Sequence, residues 1–321
     1  MNSPIAHSQL LEGSAERSGG LRDHEIGATL RRWAEQQPAA LAFLHKRRGR
    51  WLASSRSHVV REVERRTTLL NERSLPGRMR LVTSGHYEPD LIMLALAALA
   101  SGGEVFTLPA ELRGDALARE LSGLRPTHAF VQGRRAIAEW LAAVPEGLNR
   151  VPLFSAQAFV GGNSAWDVVP LHEPAASAEA SPVATRWSWR PRPRFANVAW
   201  VDEGTEWHDA LPRLLDSVLH AGVALAFPET TGSAGRDRRQ IQPAALIVSP
   251  ARRRRLEDED RARRAREGTL SRQLVDRAEA APGGLLARFV NHRRNAVLGL
   301  SRVRPLTAAE PATAAPAPAS A

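Results

Sequence analysis

At 321 residues, 43% of them hydrophobic, the chain is long enough for one large domain or two ordinary ones with a sizeable core. It has no cysteine, which excludes disulfides, zinc–thiolate sites and cysteine nucleophiles and fits a reducing, cytoplasmic setting. The 44 basic and 34 acidic side chains leave a net charge of +10, which would suit a polyanionic partner; yet Lys46 is the only lysine, and an arginine- and alanine-rich chain is also what a G- and C-rich genome produces.

Residues 1–25 read as a polar, glycine- and serine-bearing lead without the basic start and apolar run of a signal peptide. Order is expected near Ile26. From Thr29, the spacing of Leu30, Trp33 and Ala34 before Pro38 predicts an amphipathic helix. Leu41 to Leu44 and Arg50 to Ala53 predict a hairpin across Lys46-Arg47-Arg48-Gly49. Ser57 then opens a helix with Val60, Val63 and Thr67 recurring up to Leu70. Pro76-Gly77 turns into a strand, Met79 to Val82, ending at Thr83-Ser84-Gly85. The helix Asp90 to Ala100 contains the longest apolar run, about half of the roughly 20 residues that a membrane span needs.

A strand (Glu104 to Leu108), a helix (Asp115 to Leu124) and a strand (Thr127 to Val131) follow. This alternation predicts an α/β fold, a mostly parallel sheet covered by helices. The first α/β unit is assigned to residues 26–165 and a Pro/Ala/Ser-rich linker to 166–194. A second α/β unit, residues 195–305, holds the strand Asn197 to Val201, the helix His208 to His220, and helices at Arg252 to Arg266 and Leu285 to Leu298. Residues 306–321 form a low-complexity Ala/Pro tail, expected to be disordered.

The middle of the second unit has a distinctive order. An apolar strand ends in Phe227-Pro228-Glu229, a basic helical turn closes on Ile241-Gln242-Pro243, and a second apolar strand, Ala245 to Val248, closes on Ser249-Pro250. That order resembles the middle of the long-chain acyl-CoA synthetases of the adenylate-forming superfamily. Residues Thr29 to Val131 match the N-terminal succession of those enzymes element by element: helix, hairpin with a tryptophan in its second strand (Trp51), helix, Pro-Gly turn, strand, small-residue helix ending in Gly102-Gly103, and a strand leading to Pro109. The resemblance implies ATP-dependent activation of a carboxylate and transfer to CoA, with ATP, magnesium and CoA as cofactors wherever that activity is retained.

The residues themselves depart from that chemistry. Where the resemblance implies a serine, threonine and glycine-rich phosphate loop with a lysine, directly after the strand Asn197 to Val201, stands Asp202-Glu203-Gly204-Thr205-Glu206-Trp207-His208. Three acids there would repel a triphosphate. The implied segment with an aromatic substrate-site motif is reduced to His208 to His220, and the ribose-binding and C-terminal lysine regions have no counterpart before the tail, so the chain reads as a truncated, degenerate homologue with no catalytic residues assigned. The candidate cofactor-binding residues are Thr230, Thr231, Gly232, Ser233, Arg236 and Arg238, a turn with the composition of a phosphate cradle that a plain polar connection also explains.

Three functions follow from these readings. The first is an inactive acyl-CoA-synthetase-like protein that binds an acyl chain, an acyl carrier or a protein partner, or self-associates through an exposed sheet surface. The second is an active or split ligase with a rebuilt loop at Thr230 to Arg238. The third is nucleic-acid binding through Arg186 to Arg194, where arginine alternates with Trp187 and Trp189, and through the block Arg252 to Arg255; a linker and a solvated helix explain the same residues. No metal ligand set and no membrane span is read from the sequence.

Overall fold

The computed structural model describes residues 23–73, 77–157, 159, 161–171, 197–262, 270–281, 284–301 and 303. In chain order these form α1 (Asp23–Gln36), β1 (Leu41–Arg47), β2 (Arg50–Ser55), α2 (Arg56–Glu72), β3 (Arg80–Ser84), α3 (Pro89–Ala100), β4 (Glu104–Leu108), α4 (Gly114–Leu124), β5 (His128–Val131) and α5 (Gly133–Ala142). Then come β6 (Val151–Ser155), β7 (Gly161–Gly162), β8 (Trp166–Pro170), β9 (Val198–Val201), α6 (Ala210–Leu219), β10 (Ala224–Phe227), α7 (Ala234–Ile241), β11 (Ala245–Ile247), α8 (Pro250–Ala262), α9 (Leu270–Ala280) and α10 (Leu285–Leu298).

Two sheets result. One has the order β11-β9-β10-β1-β2 and the other β4-β3-β5-β6-β8-β7; all pairings are parallel except the hairpin β1–β2 and the edge pair β7–β8. Their central strands are buried on both faces, as parallel strands covered by helices must be. In β9, Ala199 and Val201 face the layer between the sheets while Val198 and Trp200 face outward towards α7; in β10, Leu225 and Phe227 face inward and Ala224 and Ala226 outward. In the second sheet Leu81, Phe130 and Phe154 point to the same inner layer, and Val82, Ala129, Val131 and Leu153 to the outer layer containing Leu117, Leu121, Ile137 and Trp140.

The inner layer is helical. Leu91 to Ala98 of α3 are all buried, which accounts for a sequence that is apolar on every side: the helix lies among α1, α2, α6 and both sheets. Around it, α1 buries Ile26, Leu30 and Trp33, and α2 buries Val59, Val63 and Leu70. The α/β class and the parallel, helix-covered sheets agree with the sequence reading.

Several elements differ from expectation. The α2 helix is capped by Ser55, whose side chain accepts the His58 amide, rather than by Ser57. Its core face carries Arg66 instead of Thr67, because the fully buried guanidinium finds the Asp90 carbonyl at 2.5 Å and the Asp90 carboxylate at 2.6 Å on α3. The hairpin turn is only Arg48-Gly49, both left-handed (φ 49° and 74°), so Lys46 and Arg47 stay in the strand.

Trp166–Pro170, assigned to the linker by composition, is a strand, and Trp166 is fully buried against Trp140. The hairpin, early in the chain, joins the sheet of β9, β10 and β11, so that sheet crosses the sequence boundary between 26–165 and 195–305. Residues 1–22, 172–196 and 304–321, hence nearly all of the lead, the linker and the tail, lie outside the described residues.

Candidate functional site

In sheets of this kind the strand carboxyl ends bound the crevice where ligands bind. Here β9 runs straight into residues 202–208, which cross from the carboxyl end of the first sheet to that of the second. Thr205 organises the crossing. It is fully buried, donates its hydroxyl to the Leu108 carbonyl at 2.5 Å, accepts the Gly85 amide on the same oxygen at 3.0 Å, and donates its own amide to the Gly85 carbonyl at 2.8 Å. The Tyr87 amide donates to the Glu203 carbonyl at 3.0 Å, and the Thr107 hydroxyl lies 3.3 Å from His208 Nδ1. The segment is thereby stitched to β3 and β4.

Its carboxylates are turned to structural use. Glu203 is buried and accepts the Ser249 amide at 2.6 Å at the start of α8; burial pushes its carboxyl up to about 7 against the pull of that hydrogen bond. Asp202 pairs with Arg252, and Glu206 accepts the Gly204 amide at 3.2 Å. A Cβ at Gly204 would meet the Glu206 carboxylate, the end of an exposed side chain that would have to swing away and give up its bond to the Gly204 amide.

Next to this loop lie Glu88 and His45. Burial, reinforced by Asp90, pushes the Glu88 carboxyl up to about 7, while burial and then Arg47 hold the His45 imidazole down to about 4. Their 3.6 Å approach is therefore not an ion pair at neutral pH, since the imidazole is uncharged there.

A nucleotide polyphosphate requires free amides and cations. Residues 202–208 offer instead three carboxylates and amides of Gly204 and Thr205 already bonded within the protein, and the nearby Arg252 is already paired. This set does not fit a triphosphate, and no step of an ATP reaction is derived from it.

The turn at 230–238 is tied around a carboxylate. Thr230 and Ser233 bond one another: the Thr230 amide donates to Ser233 Oγ and the Ser233 amide to Thr230 Oγ1, both at 3.1 Å. Asp237, fully buried, accepts the Ser233 hydroxyl at 2.6 Å and the Glu229 amide at 3.2 Å on one oxygen and Lys46 Nζ at 2.6 Å on the other. Burial alone would raise its carboxyl; the bonds from Lys46, Ser233 and the Glu229 amide outweigh that and hold it below the ordinary value.

The remaining candidates scatter. Thr231 and Gly232 are exposed on the turn. Arg236 is exposed, with its Nε 3.5 Å from Asp237. Arg238 is buried on the opposite side of α7, donating Nε to the Leu298 carbonyl at 2.8 Å. Arg236 and Arg238 thus do not converge, and an anion at the turn would have to displace Asp237.

Sequence reasoning missed Asp237 as the centre of this turn and Lys46 as its counter-charge. Lys46 also donates to Gln240 Oε1 at 2.8 Å, which Trp51 Nε1 shares at 3.2 Å, and Glu229 of Phe227-Pro228-Glu229 accepts the Gly49 amide at 3.1 Å. The signal was available in one respect only: a lone lysine in an arginine-rich chain marks a position that arginine does not fill.

Of the arginine-rich segments, Arg186 to Arg194 lies outside the described residues, and Arg252 to Arg255 begins α8, with Arg252 committed to Asp202. Among the described residues no group of histidines and acids is arranged to hold a metal, and no helix is long and apolar enough to cross a membrane.

No family model and no curated protein matches the chain by sequence. Solved structures match it in shape. A coronafacic acid ligase from Pectobacterium brasiliense is 10% identical with a TM-score of 0.54, over 76% of this chain and 53% of that one. An acetoacetyl-CoA synthetase from Streptomyces lividans is 15% identical with a TM-score of 0.52, over 74% and 44%. A structure assigned as a long-chain fatty-acid CoA ligase from Rhodopseudomonas palustris is 16% identical with a TM-score of 0.50, over 70% and 63%. The match thus spans 44–63% of those proteins, and at such identities it speaks to fold. The fold of this chain is that of the N-terminal domain of the AMP-dependent, adenylate-forming acyl-CoA ligases.

Proposed function

We propose that this protein is an acyl-CoA-synthetase-like homologue that does not activate carboxylates with ATP and acts in the cytoplasm by binding an acyl group or a protein partner. The supporting observation is the crossing at 202–208. At the strand end where a polyphosphate would need donors and cations, Asp202, Glu203 and Glu206 stand, and the amides of Gly204 and Thr205 are bonded within the protein. The only lysine is buried against Asp237, so it cannot reach a phosphate at that crossing without leaving the carboxylate unpaired.

ATP–pyrophosphate exchange tests the reading. Purified protein with magnesium, ATP and a panel of short-, medium- and long-chain carboxylic acids is expected to exchange no more label than a blank. Exchange above the blank with any acid, abolished by heat denaturation, contradicts it. Were a rebuilt phosphate turn responsible, Arg236→Ala would lower that exchange.

A further inference from the structure

Among the described residues five large apolar side chains stand exposed, and four of them lie on one helix pair: Leu274 on α9 and Leu285, Phe289 and Val297 on α10. Leu285 is 83% and Phe289 61% exposed. The spacing of Leu285, Phe289, His292 and Ala296 is i, i+4, i+7, i+11, which sets them along one side of α10, and the exposed Arg288 and Arg293 border that stripe on either flank. The helix is anchored from elsewhere: Leu298 is buried with Leu256 and Leu300, and its carbonyl accepts Arg238.

Arg288 and Arg293 have no ion-pair or hydrogen-bond partner among the described residues. Some exposed arginines elsewhere do: Arg65 with Glu62, Arg78 with Glu104, Arg135 with Glu139, Arg261 with Asp258. An apolar stripe edged by uncommitted cations on both sides is complementary to one kind of surface, an apolar groove with carboxylates along both rims.

We propose that this face of α10 docks a protein partner presenting such a groove, with Leu285 and Phe289 as the inserted anchors and Arg288 and Arg293 pairing with its acidic rims. A second copy of the chain does not meet that description. Two-fold pairing of the stripe with itself brings arginine edges against arginine edges, and like charges across an interface are unfavourable. A lipid surface would bury only two large side chains one turn apart, a small apolar area for stable attachment. The proposal deepens the binding role above but stands on residues remote from the 202–208 crossing, so nucleotide exchange and the experiment below fail independently.

The test replaces Phe289 with a photo-crosslinking residue in the full chain, expressed in cells of its source. The cross-linked protein is identified, purified and titrated against the unmodified chain by calorimetry. Phe289→Ala, and separately Arg288→Glu with Arg293→Glu, are each expected to weaken binding about tenfold with unchanged circular dichroism, and added salt to weaken it further. Val144→Ala, at the exposed apolar residue elsewhere, leaves affinity unchanged. The proposal is overturned if nothing cross-links, if the captured protein binds both variants as tightly as the parent, if the chain sediments as an oligomer that Phe289→Ala dissociates, or if it binds phosphatidylglycerol vesicles through Phe289.

Discussion

The turns at 202–208 and 230–238 are built from the same residue types, glycine, hydroxyl and acid, and both follow an apolar parallel strand. They are stabilised in opposite ways. At 202–208 the centre is the neutral Thr205 hydroxyl, joining the strand ends of two sheets, and the acids sit around it. At 230–238 the centre is the Asp237 charge, matched by Lys46 and by donors from the turn itself. A composition that reads as a phosphate cradle therefore has two other solutions: a hydroxyl that replaces backbone partners, and a carboxylate that occupies the place of an anion. The first holds sheets together; the second holds a hairpin to a helix.

That contrast is most sharply broken at Lys46. Lys46→Ala leaves the Asp237 carboxylate buried without its counter-charge and should lower unfolding stability by about 3–5 kcal/mol in urea titration, whereas Lys46→Met combined with Asp237→Leu should recover most of the loss. If the single variant unfolds at the parental midpoint, the charge-centred account of this turn is wrong.

Next in size is the pH dependence of Glu203. Its folded carboxyl titrates near 7 against 4.5 when exposed in the unfolded chain, so the folded state binds the extra proton between those values and stability falls as pH rises from about 4.5 through 7. Glu203→Gln keeps an acceptor for the Ser249 amide while removing the charge. Thermal melts should show it about 2 kcal/mol more stable than the parent at pH 8 and equal to it at pH 4, the remaining slope combining Glu88, which acts in the same sense, with His45, whose lowered imidazole acts in the opposite one. Equal melts at both pH values would remove the buried-charge description of the crossing.

Thr205→Ala strips a buried bridge of two hydrogen bonds and is expected to destabilise by about 1–3 kcal/mol, with Thr205→Ser restoring most of it. Ser233→Ala, which removes one donor from a carboxylate that keeps two, should cost the least, about 1 kcal/mol. A larger loss at Ser233 than at Thr205 would reverse the ranking of the two centres.

Much of the fold was legible because both-face burial leaves a plain signature. The short apolar run within Asn197 to Val201 and the unbroken apolar helix Leu91 to Ala100 announce a strand and a central helix, and the bounds of β4 and α10 agree with the sequence reading. What escaped were facts fixed by partners distant in sequence. Arg66 occupies a core position only because Asp90 meets it; the hairpin belongs to the sheet of β10, with Phe43 opposite Leu225; and Trp166 gives no hint of strand within a proline- and alanine-rich stretch. Helix α5 was missed because it is short and its buried face shows only Ile137 and Trp140.

At the candidate site the acids of 202–208 are readable in the sequence. Their hydrogen-bonding is not, since Thr205 acts through Leu108 and Gly85, about a hundred residues away in sequence. For Thr230 to Arg238 the composition fits a phosphate cradle or a plain polar connection, and the geometry shows a connection tied around its own anion, Asp237.

Isothermal calorimetry of the purified chain against magnesium ATP at pH 7 addresses the central claim most directly. The account predicts no saturable heat up to millimolar nucleotide from a sample that melts cooperatively. Saturable binding in the micromolar range would contradict it, and would mean that the carboxylates at 202–208 leave room for a triphosphate after all.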